Sequence, residues 1–357
     1  MKPLGLLIMK WFLSLICLPL LLSIGCEQKK EVPPGPVYPA VHADFTDSQA
    51  ALVASRLKSE QLAASYQDGL KLFAEGRYRE AIECFKPLAD QGNSMAAYFI
   101  GRSIQFARPA DLDSKYSEFA IPEYFLKAAV ADNPYAMIYL DKYGAYRSQE
   151  STVRWSERAY QYWTVRAQAK DIDAYSSLAY IGADTGNNFA RAAYLGDLAS
   201  ILEVVDVTRG DFRIDADISA EYPDWREVVI ARLKQQADSG NPLAQFRYSQ
   251  YTKDKDYLFK AADNGIPVAS AFLSRYFSNK GRGENLKAAI YFDIQAAISD
   301  GSPPSYQKIA EEFWEFEKDF GSQARLEYEK ILTEVKKWKE EHPYPYRLIH
   351  PLENMQQ

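Results

Sequence analysis

Three short segments far apart in the chain share one design: Ala89-Asp90-Gln91-Gly92-Asn93, Ala237-Asp238-Ser239-Gly240-Asn241 and Ala262-Asp263-Asn264-Gly265-Ile266. A looser fourth copy is Ser299-Asp300-Gly301-Ser302. Each closes a stretch with apolar residues at helical spacing, and another such stretch begins within a few residues. Glycine just past a last helical turn takes the left-handed conformation at little steric cost, and Asn or Ser beyond it caps the next helix. Pro242, Pro267 and Pro303 fall where a first turn tolerates a missing amide. The pattern predicts successive antiparallel helix pairs. One pair alone cannot bury its apolar face, so neighbours must stack.

The faces are legible at both ends of the chain. Tyr78, Ala81, Ile82, Phe85 and Leu88 share one side of a helix, as do Leu286, Ala289, Ile290, Ile294 and Ala297. Between Gly265 and Gly301, the residues Ala269, Leu273, Tyr276, Gly281, Gly283, Leu286, Lys287, Ala288, Ala289, Tyr291 and Ala297 resemble the Sel1-like repeat, a relative of the tetratricopeptide repeat. Gly69, Leu72, Gly76, Tyr78, Ala81, Phe85, Ala89, Gly92, Ala96 and Gly101 resemble a second copy. The resemblance implies an all-α fold, a right-handed superhelical solenoid of antiparallel helix pairs with a concave and a convex side. Midway it thins. Asp132-Asn133-Pro134 and Lys170-Asp171-Ile172 stand where the glycine junction belongs. Asn tolerates the left-handed conformation, but Ile172 does not, so that junction is expected to close differently.

Two stretches interrupt the helical pattern. Ala107 to Tyr116 is polar and contains Pro109. Val205 to Tyr222 alternates Phe212, Ile214, Ala216 and Ile218, which predicts a short strand or irregular loop. The expected organisation is therefore repeats over 48–204, an insertion over 205–222, and repeats with a capping helix over 223–341. In that last helix Tyr328, Ile331, Leu332, Val335 and Trp338 form one stripe. A proline-rich tail, 342–357, follows.

The amino terminus reads as an export signal. Lys2 and Lys10 precede an apolar run from Trp11 to Ile24, broken by Pro19 and shorter than the roughly 20 residues that a spanning helix needs. Leu22-Ser23-Ile24-Gly25-Cys26 resembles the lipobox of bacterial lipoproteins, departing at Ser23, where that family has an aliphatic residue. The resemblance implies removal of residues 1–25, lipid on Cys26, and a proline-rich linker over 26–47. Glu27, where aspartate would favour the inner membrane, implies a bacterial-envelope protein on the outer membrane, facing the periplasm.

Little in the chain offers chemistry. Of 3 cysteines, Cys17 lies in the signal and Cys26 takes lipid, leaving Cys84 with no cysteine to pair with. The 3 histidines, His42, His342 and His350, lie in proline-rich segments, which leaves little material for a triad or a zinc site. Glu311-Glu312 fits a solvated helix face. Gly281-Arg282-Gly283 lacks the lysine and spacing of a phosphate loop. No catalytic residue, cofactor or metal is expected. A net charge of -6 argues against nucleic acid.

What remains is recognition of another protein. The 25 tyrosines combine large apolar faces with polar tips, as binding hot spots do. Candidate groove residues lie on the first helix of each pair: Tyr98, Arg102, Tyr139, Tyr143, Tyr180, Arg247, Tyr251, Arg275 and Tyr276. Many tyrosines are also expected to fill spaces between repeats. Exported Sel1-like lipoproteins resemble the immunity partners of type VI secreted phospholipase toxins. That resemblance implies a membrane-anchored binder with the toxin in its groove. The alternative is an envelope scaffold organising cell-wall or secretion-machinery proteins. A hydrolase using Asp or Glu on the concave face is the remaining reading.

Overall fold

Where one helix pair meets the next, the backbone repeats a single geometry. A computed structural model describes residues 45–112, 116, 118–143, 154–206, 211–212, 216–299, 304–342 and 351–352. At Gly92 the amide of Asn93 donates to the Leu88 carbonyl and that of Gly92 to Ala89. The same two bonds recur at Asp132, Lys170, Gly196, Gly240 and Gly265. All six residues have positive φ, from 58° at Lys170 to 113° at Gly196. This is the paired-bond helix stop that a left-handed residue allows. The next residue then caps the following helix: Asn93, Asn133, Asp171, Asp197 and Asn241 each accept from an amide three residues on.

These junctions separate the pairs. Helix α1 (Asp47–Gln61) opens the described chain with a Thr46–Gln49 capping box. The pairs follow as α2 (Ala64–Ala74) with α3 (Tyr78–Asp90), α4 (Ser94–Phe106) with α5 (Ile121–Val130), and α6 (Pro134–Tyr143) with α7 (Trp155–Gln168). Then come α8 (Ile172–Tyr180) with α9 (Thr185–Leu195) and α10 (Leu198–Val204) with α11 (Trp225–Asp238). The last are α12 (Pro242–Thr252) with α13 (Lys255–Asp263), and α14 (Pro267–Ser278) with α15 (Glu284–Ser299). Short helices α16 (Tyr306–Glu312) and α17 (Glu315–Phe320) lead into α18 (Ala324–Glu341). The fold is all-α, its helices packed in consecutive pairs, as expected.

The junction near Ile172 differs from expectation. It closes like the others, because Lys170 and not Ile172 takes the left-handed conformation, with φ 58°. Ile172 instead sits inside the first turn of α8, after the Asp171 cap. Likewise Asp132, not Asn133, carries the positive φ, which frees Asn133 to cap α6.

Small residues set the packing distance. Ala89, Ala129, Ala193, Ala237 and Ala262 occupy the same place before five of the six stops and are buried. Gly69 and Gly101 serve a related need on the first helix of a pair. A Cβ there would stand 2.7 Å from the ring of Phe85 or Phe125 on the second helix. Around them runs a chain of ring contacts, from Phe73 through Phe99, Tyr98, Tyr135, Trp163 and Tyr162 to Phe45.

In the expected insertion, Val205 pairs with Phe212 and Asp206 with Asp211 as a minimal antiparallel ribbon. Beyond it Ala216, Ile218 and Tyr222 enter a cluster that holds Phe189 and Ile201 on one side and Trp225, Val229 and Leu233 on the other. At the far end Tyr328, Ile331 and Val335 of α18 bury against Leu286, Ile290 and Ile294 of α15, with Leu332 and Trp338 partly covered. The capping stripe expected from the sequence is thus placed on the last pair.

Candidate binding site

The first helices of two adjacent pairs bring Tyr98, Arg102 and Tyr139 together. Tyr98 and Arg102 lie one turn apart on α4, and Tyr139 faces them from α6. All three are almost fully covered, Arg102 with 3% of its surface exposed. The guanidinium carbon lies over the rings of both Phe106 and Tyr139, 4.7 Å from each centre. Its Nη1 donates to the Tyr98 hydroxyl at 3.0 Å and to the main-chain carbonyl of Pro351 at 2.5 Å. The Tyr98 hydroxyl donates to the same carbonyl. Leu352, the next residue, is completely buried. An arginine has five donors and no acceptor, so a carbonyl in this position is well matched.

Other candidates are dispersed. Tyr180 is half-buried, edge-on to Phe189 at 5.1 Å. Tyr251 packs beside the cluster around the insertion. Arg247 is half-buried and Arg275 exposed. Tyr276 lies between two lysines, whose nitrogens stand 4.2 Å (Lys255) and 4.4 Å (Lys280) from its ring centre. The hydrogen bond from Lys255, then that from Lys280, holds the Tyr276 phenol below its ordinary range. The Tyr143 side chain and Cys26 lie outside the described residues.

An open groove of about 420 Å³ lies between α7, α8 and α9, lined among others by Tyr160, Tyr175, Asp184, Arg191 and Glu221. Arg191 binds Glu221 at 2.9 Å and Asp184 at 3.3 Å across it. Burial would raise the Glu221 carboxyl, but hydrogen bonds from Arg191 and Tyr222 outweigh that and hold it below its usual range.

The one cysteine among the described residues is held as a thiol. Burial first, and then the carboxylates of Asp68, Glu80 and Glu83, push the Cys84 thiol upward, away from the reactive thiolate. Among the described residues no group of three or more His, Cys, Asp and Glu could hold a metal ion. Among them, too, no helix is long and apolar enough to cross a membrane.

Tyr98, Arg102 and Tyr139, expected from the sequence as separate groove residues, come together but are buried, with Pro351 against Tyr98 and Arg102. In the sequence, Pro351 stands only as one residue of the proline-rich tail. The available signal was the apolar stretch Leu348-Ile349 with Leu352, unusual in an otherwise polar carboxyl terminus. Arg191, Lys255 and Lys280 were missed because single charges on helices carry no positional signature.

By its paired helices and repeated junction the chain is a helical-repeat protein. No family model matches it, and no curated protein matches it. Among solved structures it is similar to a protective antigen of uropathogenic Escherichia coli that displays an SLR fold. The identity is 14% and the TM-score 0.41, over 85% of this chain and 68% of that one.

Proposed function

We propose that the protein is a non-catalytic binding scaffold of Sel1-like helix pairs, tethered to the bacterial outer membrane by lipid on Cys26, facing the periplasm. Its partner is a secreted phospholipase toxin, which it neutralises by covering the toxin surface. The observation that carries the binding role is the Tyr98–Arg102 pair, two side chains on a first helix that converge on the main chain of a remote segment. Such contacts suit capture of a polypeptide. The lipobox-like Leu22-Ser23-Ile24-Gly25-Cys26 supports the tether, which would set the binder at the membrane that such a toxin attacks.

Co-purification of the full chain with the product of the neighbouring gene tests the partner. A stable complex, with self-intoxication on deleting this gene, is expected. An absent adjacent toxin and harmless deletion would leave the envelope scaffold, with several crosslinked partners. Palmitate labelling in wild type but not in Cys26→Ala tests the tether independently. Label retained by the variant would remove it.

A further inference from the structure

We infer that the pocket formed by Tyr98, Arg102 and Tyr139 is a receptor for a proline-containing peptide in a turn, and that Pro351–Leu352 occupies it in cis as a displaceable placeholder. The inference rests on no particular partner or tether.

Four features of the pocket select this ligand class. First, its polar floor donates: both Arg102 Nη1 and the Tyr98 hydroxyl point their protons at one carbonyl. Proline has a carbonyl and no amide hydrogen, so it meets a donor floor without presenting a competing donor. Second, the guanidinium packs on the rings of Phe106 and Tyr139 and is almost fully buried, so little side-chain freedom is lost on binding. Third, the residue after the proline is aliphatic and fully covered, which supplies apolar burial next to the polar anchor. Fourth, the anchor is a main-chain atom, so the contact reads backbone geometry and tolerates other sequences around the proline. Proline suits such reading, because its ring fixes φ before binding.

The occupant is separated from its receptor by 249 residues and shares no helix with it. Pro351–Leu352 is a turn in the described chain, not part of α18, which ends at Glu341. It is therefore held by these contacts and by the connecting chain, and it competes with any ligand arriving from outside. A tethered segment acts at an effective concentration on the order of 1 mM. Against a free peptide with Kd on the order of 0.1 mM, that tether lowers apparent affinity roughly tenfold.

The test uses the full chain and a fluorescent synthetic peptide copying residues 345–357, read by polarisation. Leu352→Asp evicts the placeholder, because a carboxylate cannot replace the apolar burial that seats Leu352, and the nearby Arg102 Nη1 is already engaged by the Pro351 carbonyl and the Tyr98 hydroxyl. The variant is expected to bind the peptide about tenfold more tightly than wild type. Adding Tyr98→Phe to it keeps the ring but removes one donor, and should weaken the peptide about fivefold with unchanged melting temperature. A peptide carrying Leu352→Asp should not bind. Should Leu352→Asp unfold the protein, wild type titrated to millimolar peptide supplies the reading. Peptide-dependent protection of 98–102 from hydrogen exchange supports the receptor, and its absence overturns it. Equal, weak binding by wild type and a folded Leu352→Asp overturns it as well. So does peptide binding that ignores Tyr98→Phe.

Discussion

At Gly101 and Gly240 the same residue type answers two different demands. Gly101 lies in a helix, where glycine is disfavoured by about 1 kcal/mol relative to alanine. It is kept because the Phe125 ring rests where a Cβ would be. That ring cannot swing away, being stacked on Tyr139 at 5.0 Å and buried. Overpacking of this kind costs about 1–3 kcal/mol. Gly101→Ala is thus expected to lose about 1 kcal/mol net in urea denaturation, and a gain in stability would contradict the packing. Gly240 has open space around it and φ 94°, so Gly240→Ala is expected to lose about 1 kcal/mol through backbone strain alone.

One carboxylate gives a pH signature. Burial, and next Glu312, raise the Asp293 carboxyl above its ordinary value of 3.8, with Lys308 opposing. The folded state then binds the proton more tightly than the unfolded chain. Stability from this group is present below pH 3.8 and is lost as pH rises through the folded pKa. Asp293→Asn is expected to stabilise the protein at pH 7 and to remove this part of the pH dependence, as thermal denaturation from pH 3 to 7 would record. A variant less stable at pH 7 would mean that the carboxylate makes a favourable contact.

At the scale of elements, stability depends on the repeated stop and cap. Asn133 is fully buried, caps α6 through the Ala136 amide at 3.1 Å, and also reaches Met95 Sδ of the preceding pair at 3.2 Å. Asn133→Ala is expected to lose about 1–2 kcal/mol, the upper part of the range for caps. A neutral result would show that the junction is held by its backbone bonds alone. The stops at Gly92, Gly240 and Gly265 were legible because glycine advertises the left-handed residue. Those at Asp132 and Lys170 lie one and two positions before the residues expected from the sequence, because Asp and Lys do not advertise the left-handed conformation. What they share with the others is a bond pattern, invisible in residue type. The pairing of helices and the capping stripe of α18 were legible for a related reason. Both follow from local periodicity, which the chain writes within a dozen residues.

Across the whole molecule the insertion near 205–222 matters for continuity. Ala216, Ile218 and Tyr222 join residues before and after them in one apolar cluster that includes Trp225, 2% exposed. Trp225→Ala is expected to lose about 3–5 kcal/mol and to broaden the urea transition, because neighbouring pairs on both sides lose a shared surface. A sharp transition with little loss would show that those pairs fold independently of the insertion. The candidate site belongs to this scale too, which is why it was only partly legible. Tyr98, Arg102 and Tyr139 could be placed on first helices from spacing alone. That they sit buried under Pro351 could not, since contacts across 249 residues leave no periodic trace.

Hydrogen exchange of the full chain, comparing wild type with Leu352→Asp, reports most directly on whether first-helix residues grip a remote segment of the chain. Faster exchange is expected across 98–106 and 134–141, with 225–238 and 284–299 unchanged. Identical exchange throughout, or acceleration spread evenly over every helix pair, would contradict it.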